Sequence, residues 1–431
     1  MSGSDFAGAV RRAHAAGRLV VQPRMGLGDP ALMRAGLVAT KAAAARTVGT
    51  ITLDSYTRIG DLESAERAVR GGMDLNGYPI VTHGARATRR MLDGVADADF
   101  PVQVRHGSAR PARIVEAMCR AGLSATEGGP VSYCLPYGRT RLDVALHDWT
   151  RACRILASNR PDGATPHLET FGGCLMGQLC PPSLLVAVSV LEALYFRSMG
   201  ITSVSVSYAQ QTNEEQDREA IAALRGLCAE LLPDVDWHVV VYAYMGVYPR
   251  TAGGARELLA QAARLAVDSG AERLIVKTVA EAHRLPTIAE NIEALEFADG
   301  VAAGRPKPAG RAAGHRDSEV YQEAHALVEA VLNLAPEPGR ALVTAVQRGL
   351  LDVPFCLHPE NAGRARSFID ADGRLRWAEV GAMPLRGAVV RGGIKALTAS
   401  GLVQALSHMQ RTYDAAALER SRRGAALGMS S

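Results

Sequence analysis

The chain has 431 residues, 48% of them hydrophobic and 21% charged, with a formal net charge of +4. That length and composition exclude a disordered or fibrous chain and suit one large domain with appendages, or two to three ordinary domains. So small a charge, with no Lys/Arg block interleaved with aromatics, excludes a nucleic-acid partner, and no apolar run reaches the roughly 18 residues of a membrane helix.

Residues 1–47 read as an N-terminal arm, largely helical, with one apolar run at Leu19–Gln22 and no long apolar stretch in MSGSDFAGAVRRAHAAG. From 48 onward, short β-branched runs alternate with amphipathic helical patterns, which is the signature of βα units and a parallel sheet. Eight runs read as strands: VGTITLD (48–54), PIVTH (79–83), PVQVRH (101–106), TEGGPVSYC (126–134), PHLETF (166–171), TSVSVSY (202–208), DWHVVVYAY (236–244) and ERLIVKT (272–278). Segments such as LESAERAVRGG, ARIVEAMCRAG and SLLVAVSVLEALYFRSMG between them carry the helical period and close on glycine, as helix C-termini prefer. Eight strand–helix repeats in about 250 residues are the size of one closed barrel. The expected architecture is α/β: a (β/α)8 TIM barrel over 48–300, preceded by the helical arm and followed by a C-terminal α+β extension over 301–431. A doubly wound open sheet is the competitor, but no GxGxxG follows the first strand. Past Val301, VAAGRPKPAGRAAGHRD reads as a linker or exposed loop, SEVYQEAHALVEAVLNLA and GRALVTAVQRGLL as helices, and RSRRGAALGMSS as a disordered tail.

In a TIM barrel the reactive groups come from the C-terminal ends of the strands. Those ends carry Asp54 and Arg58, His83, Arg105 and His106, Glu127, Glu169, Tyr208, Tyr242 and Tyr244, and Lys277. One arginine at a barrel rim is as readily a salt-bridging surface residue. Two at one mouth need anions to offset their desolvation, which favours a carboxylate- or phosphate-bearing substrate. Glu169, between Leu168 and Phe171, reads as a partly buried carboxylate suited to a general base, or as a partner of one arginine. Lys277 fits either a Schiff-base nucleophile or a plain donor; Glu281, four residues on, would keep it protonated if the turn is helical. His83 and His106 lack a third ligand at suitable spacing, so no metal is expected. Seven cysteines, odd in number and without zinc-type spacing, read as reduced thiols of a cytoplasmic protein.

The runs VVQPRMG (20–26), LDSYTRIGD (53–61), LNGYPIVTHG (75–84), QVRHG (103–107), TEGGPVSYCLPY (126–137), HDWTRACR (147–154), LETFGG (168–173), IVKTVAEAHRLPT (275–287) and DVPFCLHPENAG (352–363) follow one another over nearly the whole chain. In that order they resemble the large, substrate-binding subunit of adenosylcobalamin-dependent glutamate mutase (methylaspartate mutase). The resemblance implies a TIM barrel and a radical rearrangement interconverting L-glutamate and 3-methylaspartate, with the cofactor doing the difficult chemistry and the protein orienting and sealing the radical. Matched residue by residue, it implies that Arg58 and Arg105 grip substrate carboxylates and that Glu169 contacts the amino group. It further implies that Lys277, Glu281, Gly60 and Thr126 lie against the adenosyl moiety. The family's third arginine falls at His147 in this matching. An imidazole cannot form a guanidinium fork, so the resemblance leaves room for an altered amino-acid substrate unless Arg139, Arg141 or Arg151 compensates. The chain is also shorter than the family between strands five and eight. It lacks an Asp-x-His-x-x-Gly cobalamin signature, so the resemblance implies a small cobalamin-binding partner subunit and a homodimer of this chain. Two alternatives are a cobalamin-independent barrel lyase or aldolase using Lys277 as a Schiff base, and a non-catalytic relative.

Overall fold

The computed structural model describes residues 5–136, 138–175, 179–305, 315–385, 387 and 398–428. In chain order the first half comprises α1 (Phe6–Ala15), β1 (Val20–Gln22), α2 (Pro30–Ala42), β2 (Gly49–Thr52), α3 (Ser55–Ile59), α4 (Leu62–Arg70), α5 (Ile80–Leu92), β3 (Val102–Arg105), α6 (Ala112–Arg120), β4 (Ala125–Gly128), α7 (Leu142–Ser158) and β5 (His167–Thr170). The second half continues with α8 (Pro182–Ser198), β6 (Ser203–Ala209), α9 (Glu214–Leu231), β7 (Asp236–Tyr242), α10 (Ala252–Asp268), β8 (Arg273–Ile275) and α11 (Ile288–Ala303). Then come α12 (Glu319–Leu332), α13 (Pro338–Gln347), β9 (Arg366–Ile369), β10 (Leu375–Glu379), α14 (Ala399–Leu406) and α15 (His408–Gly428).

Strands β1 to β8 form one parallel sheet in the order β1-β8-β7-β6-β5-β4-β3-β2. A parallel bridge from Val21 to Thr47, and a hydrogen bond from Thr52 N to Met25 O of 2.9 Å, bring its two edges together. The fold is the expected (β/α)8 barrel, but two of its staves are reassigned. PIVTH (79–83) is not a strand: Ile80 opens α5, with Pro79 at the N-cap and Ile80 buried in the core. The missing stave is β1, inside the stretch read as a helical arm. Three residues are too few to leave a period, so only its pairing with β8, Val20 to Arg273 through Gln22 to Ile275, reveals it.

The extension meets the barrel through α8, whose PSLLVAVSVLEALYFRS is apolar on nearly every face. Such a helix must be covered all round. The barrel strands β5 and β6 take one side, and α9, α12 and α13 take the others. Strands β9 and β10 form an antiparallel hairpin, the β part of the extension. The segment read as a linker begins inside α11, and its residues 306–314 lie outside the described ones. The tail read as disordered is helical as far as Gly428.

The barrel interior is unusually polar. Gln22, Thr50, Gln103, His167, Glu169, Ser203, Ser205 and Arg273 are all buried, where aliphatic side chains ordinarily dominate. Helix α1 stoppers the N-terminal end: Phe6 stacks on His167 at 4.9 Å between ring centroids and lies 5.0 Å from the Arg273 guanidinium carbon. Arg11 of the same helix ion-pairs with Asp236 at the start of β7. Phe6→Ala should therefore cost about 3–5 kcal/mol of stability, by opening a cavity and admitting water beneath a buried cation. Urea unfolding checks this; a loss below about 1 kcal/mol would mean α1 is a dispensable cover.

Candidate active site

Arg105 is the last residue of β3 and points into the barrel, where 4% of it is exposed. Its Nη2 lies 2.6 Å from Glu127 Oε2 on β4, and its Nη1 lies 3.3 Å from Glu169 Oε1 on β5. Nη1 also donates to Tyr242 Oη on β7 at 3.0 Å, and the guanidinium sits 5.0 Å from that ring's centroid. Parallel register puts Arg105 beside Thr52 and Glu127 beside Glu169, so strand alternation aims the charged side chains inward together. Tyr242 has one hydroxyl proton but is within reach of both carboxylates. Burial works to raise Glu169, yet Arg273 and Arg105 outweigh it and hold this carboxyl well below the usual range. Glu127 goes the other way: burial raises it, Arg105 opposes, and the charge on Glu169 pushes it further up.

Arg58 sits on the single turn α3, which Asp54 caps by accepting from Thr57 N at 2.9 Å and which Gly60 ends in the left-handed region at φ +82°. Its side chain crosses Gly107: a Cβ on that glycine would stand 3.2 Å from Arg58 Nε, and φ there is +63°. The VRHG run thus ends in glycine for two reasons, a backbone turn other residues resist and room for a neighbouring guanidinium. Among the described residues, Arg58 Nε and His106 Nε2 are buried without a hydrogen-bond partner. His106 Nδ1 accepts from Ser108 N at 3.0 Å, which leaves the proton on Nε2. Burial, with Arg58 and Arg105 beside it, pushes that ring down to about 3 and keeps it neutral. Two unsatisfied donors at a buried edge call for an acceptor such as a carboxylate.

The far wall carries Lys277, two residues past β8, whose Nζ pairs with Glu281 Oε1 at 2.7 Å and lies 5.2 Å from the Tyr248 ring centroid. Arg24, two residues past β1, reaches the same Glu281 oxygen at 3.5 Å. Burial brings Lys277 down to about 8 although Glu281 opposes it, and Arg24 adds to the fall. Burial likewise works against ionised Glu281, but Lys277 and Arg24 keep it below its ordinary value.

Arg58, Arg105, Glu169, Lys277 and Glu281 therefore gather at one end of the barrel, and the exposed Gly60 lies there with open space around its α-carbon. Two expected residues do not join them. Thr126 is in register with outward-facing Val104, and its hydroxyl donates to Val104 O at 2.8 Å. His147 is exposed on α7, while Trp149, two positions on, is the residue buried toward Tyr133 and His106; residues two apart on a helix point to different sides. Arg139, Arg141 and Arg151 are exposed, Arg141 held by Asp143 at 2.8 Å and Arg151 near Glu116 at 3.9 Å, so none substitutes at the mouth. His83 bonds Gly28 O at 2.8 Å, and Tyr208 bonds Asp217 Oδ1 at 2.7 Å. Two residues carry no signal in the sequence: Arg24, because β1 reads as part of the arm, and Arg273, because it opens its strand rather than ending it. Glu127 was noted only as a strand residue and given no role; Tyr133, which donates to it, was not singled out. Behind this loop, the buried Glu192 of α8 accepts from Ser132 N, Ser132 Oγ and Gly172 N, each at 2.9 Å, tying the segments after β4 and β5 together.

A closed barrel that gathers charged side chains at and beyond the C-terminal ends of its strands is the layout of a TIM-barrel enzyme. The chain belongs to the methylaspartate mutase E chain (MutE) family, whose description its residues 2–403 match. It is similar to the glutamate mutase epsilon subunit of Escherichia coli O157:H7, at 31% identity over 78% of this chain and 72% of that one. It is similar also to the glutamate mutase epsilon subunit of Halobacterium salinarum, at 32% identity over 78% and 71%, and to that of Yersinia enterocolitica, at 30% over 78% and 72%. These likenesses make it a mutase subunit of an isomerase family.

A titration checks the electrostatics of the far wall. In ¹³C-lysine NMR, Lys277 is expected to titrate near 8 and Glu281→Gln to lower that value, since the neighbour that raises it is gone. An unchanged midpoint would mean the two groups are not coupled.

Proposed function

We propose that this chain is the substrate-binding subunit of an adenosylcobalamin-dependent carbon-skeleton mutase that interconverts L-glutamate and 3-methylaspartate. The observation that carries the reading is a pair of arginines from neighbouring strands, Arg58 just after β2 and Arg105 at the end of β3, which lie together beside His106 with the Glu127 and Glu169 carboxylates on Arg105. An acidic amino acid has two carboxylates and an ammonium, and this mouth has the complementary charges. Planar guanidinium forks fix the orientation of a carboxylate as well as its charge. The free donors on Arg58 and His106 give a substrate oxygen partners already in place, and Glu169, with Glu127 beside it, supplies the negative charge for the ammonium.

Three of the four neighbours expected for the cofactor suit it. Lys277, held by Glu281, presents a fixed donor and acceptor to ribose hydroxyls, and the space over Gly60 lets a ring approach the backbone. When bound, adenosylcobalamin supplies the radical chemistry; it is expected to be held mainly by a small partner subunit. The present chain's work is to bind the substrate, orient it and exclude water. Ile59, Met73 and Leu285 are exposed on the segments that follow β2 and β8, apolar surface suited to a covering subunit. Against the aldolase alternative stands the Lys277–Glu281 ion pair at 2.7 Å, which holds the amine on a carboxylate and opposes the fall that burial causes.

His147 lies exposed on α7, away from the mouth, so its identity gives no reason for an altered substrate and glutamate is the expected one. Reconstitution with a small cobalamin-binding subunit and adenosylcobalamin should convert glutamate to 3-methylaspartate, followed by ¹H NMR. Arg58→Lys should lower kcat/KM roughly 100-fold, and His147→Arg should leave the ranking of amino-acid substrates unchanged. Turnover without cobalamin, or borohydride trapping of substrate on Lys277, would sink the reading.

A further inference from the structure

Helix α8 carries a buried charge outside the mouth. Glu192, the acidic residue of the run PSLLVAVSVLEALYFRS, is fully buried. Its carboxylate meets donors on both oxygens: Ser132 N gives to Oε1, while Ser132 Oγ and Gly172 N give to Oε2, each at 2.9 Å. Burial pushes this carboxyl up to about 7, and those donors oppose the rise. The fit is close, because a Cβ on Gly129 would overlap the carboxylate. The run TEGGP therefore needs a glycine where α8 approaches it. Each of the two segments tied in this way bears a ring of the site. Tyr133 follows Ser132, and its hydroxyl donates to Glu127. Phe171 precedes Gly172, and its ring centroid lies 4.7 Å from that of Tyr133 and 5.8 Å from that of Tyr242.

We propose that Glu192 is a positioning residue for substrate recognition: by fixing Ser132 and Gly172 it holds the Tyr133 hydroxyl on Glu127, and so keeps that carboxylate in place beside Arg105 and Glu169. The inference rests on the reading of the mouth as a site for an acidic amino acid. Glu127 is where this relay of contacts reaches the site. Burial raises its carboxyl, Arg105 opposes, Glu169 adds to the rise, and the Tyr133 hydroxyl is a further group that lowers it. Without that hydroxyl Glu127 takes up a proton more readily, and the negative charge offered to an ammonium shrinks. Glu192 acts through Ser132 and Tyr133 rather than by touching substrate. A glutamine of the same shape cannot do the same work. Its amide has one oxygen and one NH2, so either Ser132 N or Gly172 N is left facing another donor.

The test compares wild type, Glu192→Gln, Tyr133→Phe and the double variant Glu192→Gln/Tyr133→Phe by calorimetric titration. The ligands are L-glutamate and glutarate, which keeps both carboxylates and lacks the ammonium. Each single variant is expected to weaken L-glutamate binding roughly tenfold, the worth of one hydrogen bond, and to change glutarate binding less than about threefold. The double variant is expected to bind L-glutamate no more weakly than the poorer single one, because both changes act through one hydroxyl. Equal losses for the two ligands would make Glu192 general support of the fold, and additive losses would mean that it does not act through Tyr133; either result overturns the proposal. Should Glu192→Gln not fold, Ser132→Ala takes its place in the cycle, with a loss of roughly threefold for L-glutamate and the same non-additivity expected. If wild type binds neither ligand, the reading of the mouth has failed. Hydrogen exchange then decides: faster exchange in Glu192→Gln over peptides spanning 130–136 and 170–175 supports the anchoring of both segments, and unchanged exchange in either overturns it.

Discussion

Four fully or almost fully buried charges, Arg273, Glu169, Arg105 and Glu127, form a continuous ion-pair layer across the barrel, and the rest of the structure answers to it. Taking such groups out of water costs several kcal/mol per ion unless every donor and acceptor is matched. That requirement explains a polar interior where aliphatic layers are usual: Gln22, Gln103, Ser205 and Tyr242 bond to the carboxylate and guanidinium edges. It also explains α1, whose Phe6 covers the cation from below and shuts water out of the N-terminal end.

Beside that layer the structure leaves donors open. Arg58 Nε and the His106 Nε2 proton are buried without partners, and the chain bends at Gly107 so that the two share one edge. Open donors at a buried edge are what preorganisation looks like in a protein interior, since the donors for an anion are desolvated and fixed before it arrives. The loops that carry them are braced from outside. Glu192 ties the turns after β4 and β5, and the all-round apolar α8 that bears it is clamped by helices of the C-terminal extension. The extension therefore supports the active end of the barrel through one buried carboxylate.

Much of this was legible in advance. The alternation of β-branched runs with helical periods predicted a closed eight-stranded barrel, and strand ends marked Arg58, Arg105 and Lys277 as residues of one end of it. What misled was local. Val20–Gln22 is too short to leave a period, so Arg24 lost its standing as a strand-end residue, and Ile80-Val81-Thr82 carries strand propensity into a helix that Pro79 begins. The expectation of a third substrate-gripping position at His147 has another origin, the match to the family, and that residue lies exposed on α7. Thr126, expected at the adenosyl moiety from the family match, alternates with inward-facing Glu127, and a period of two puts the two on opposite faces.

The sequence by itself determined the fold class, the family resemblance and the list of charged residues at strand ends, because periodicity and residue order are properties of the linear chain. Which partners those charges would find was decided only by the tertiary structure. Glu127 and Glu169 both belong to short strands of similar character, and nothing along the chain says that one meets Tyr133 while the other meets Arg273 across the barrel. Desolvation and pairing depend on what lies across the barrel, over a hundred residues away in sequence for Glu169 and Arg273, and that distance is closed only when the staves are in register.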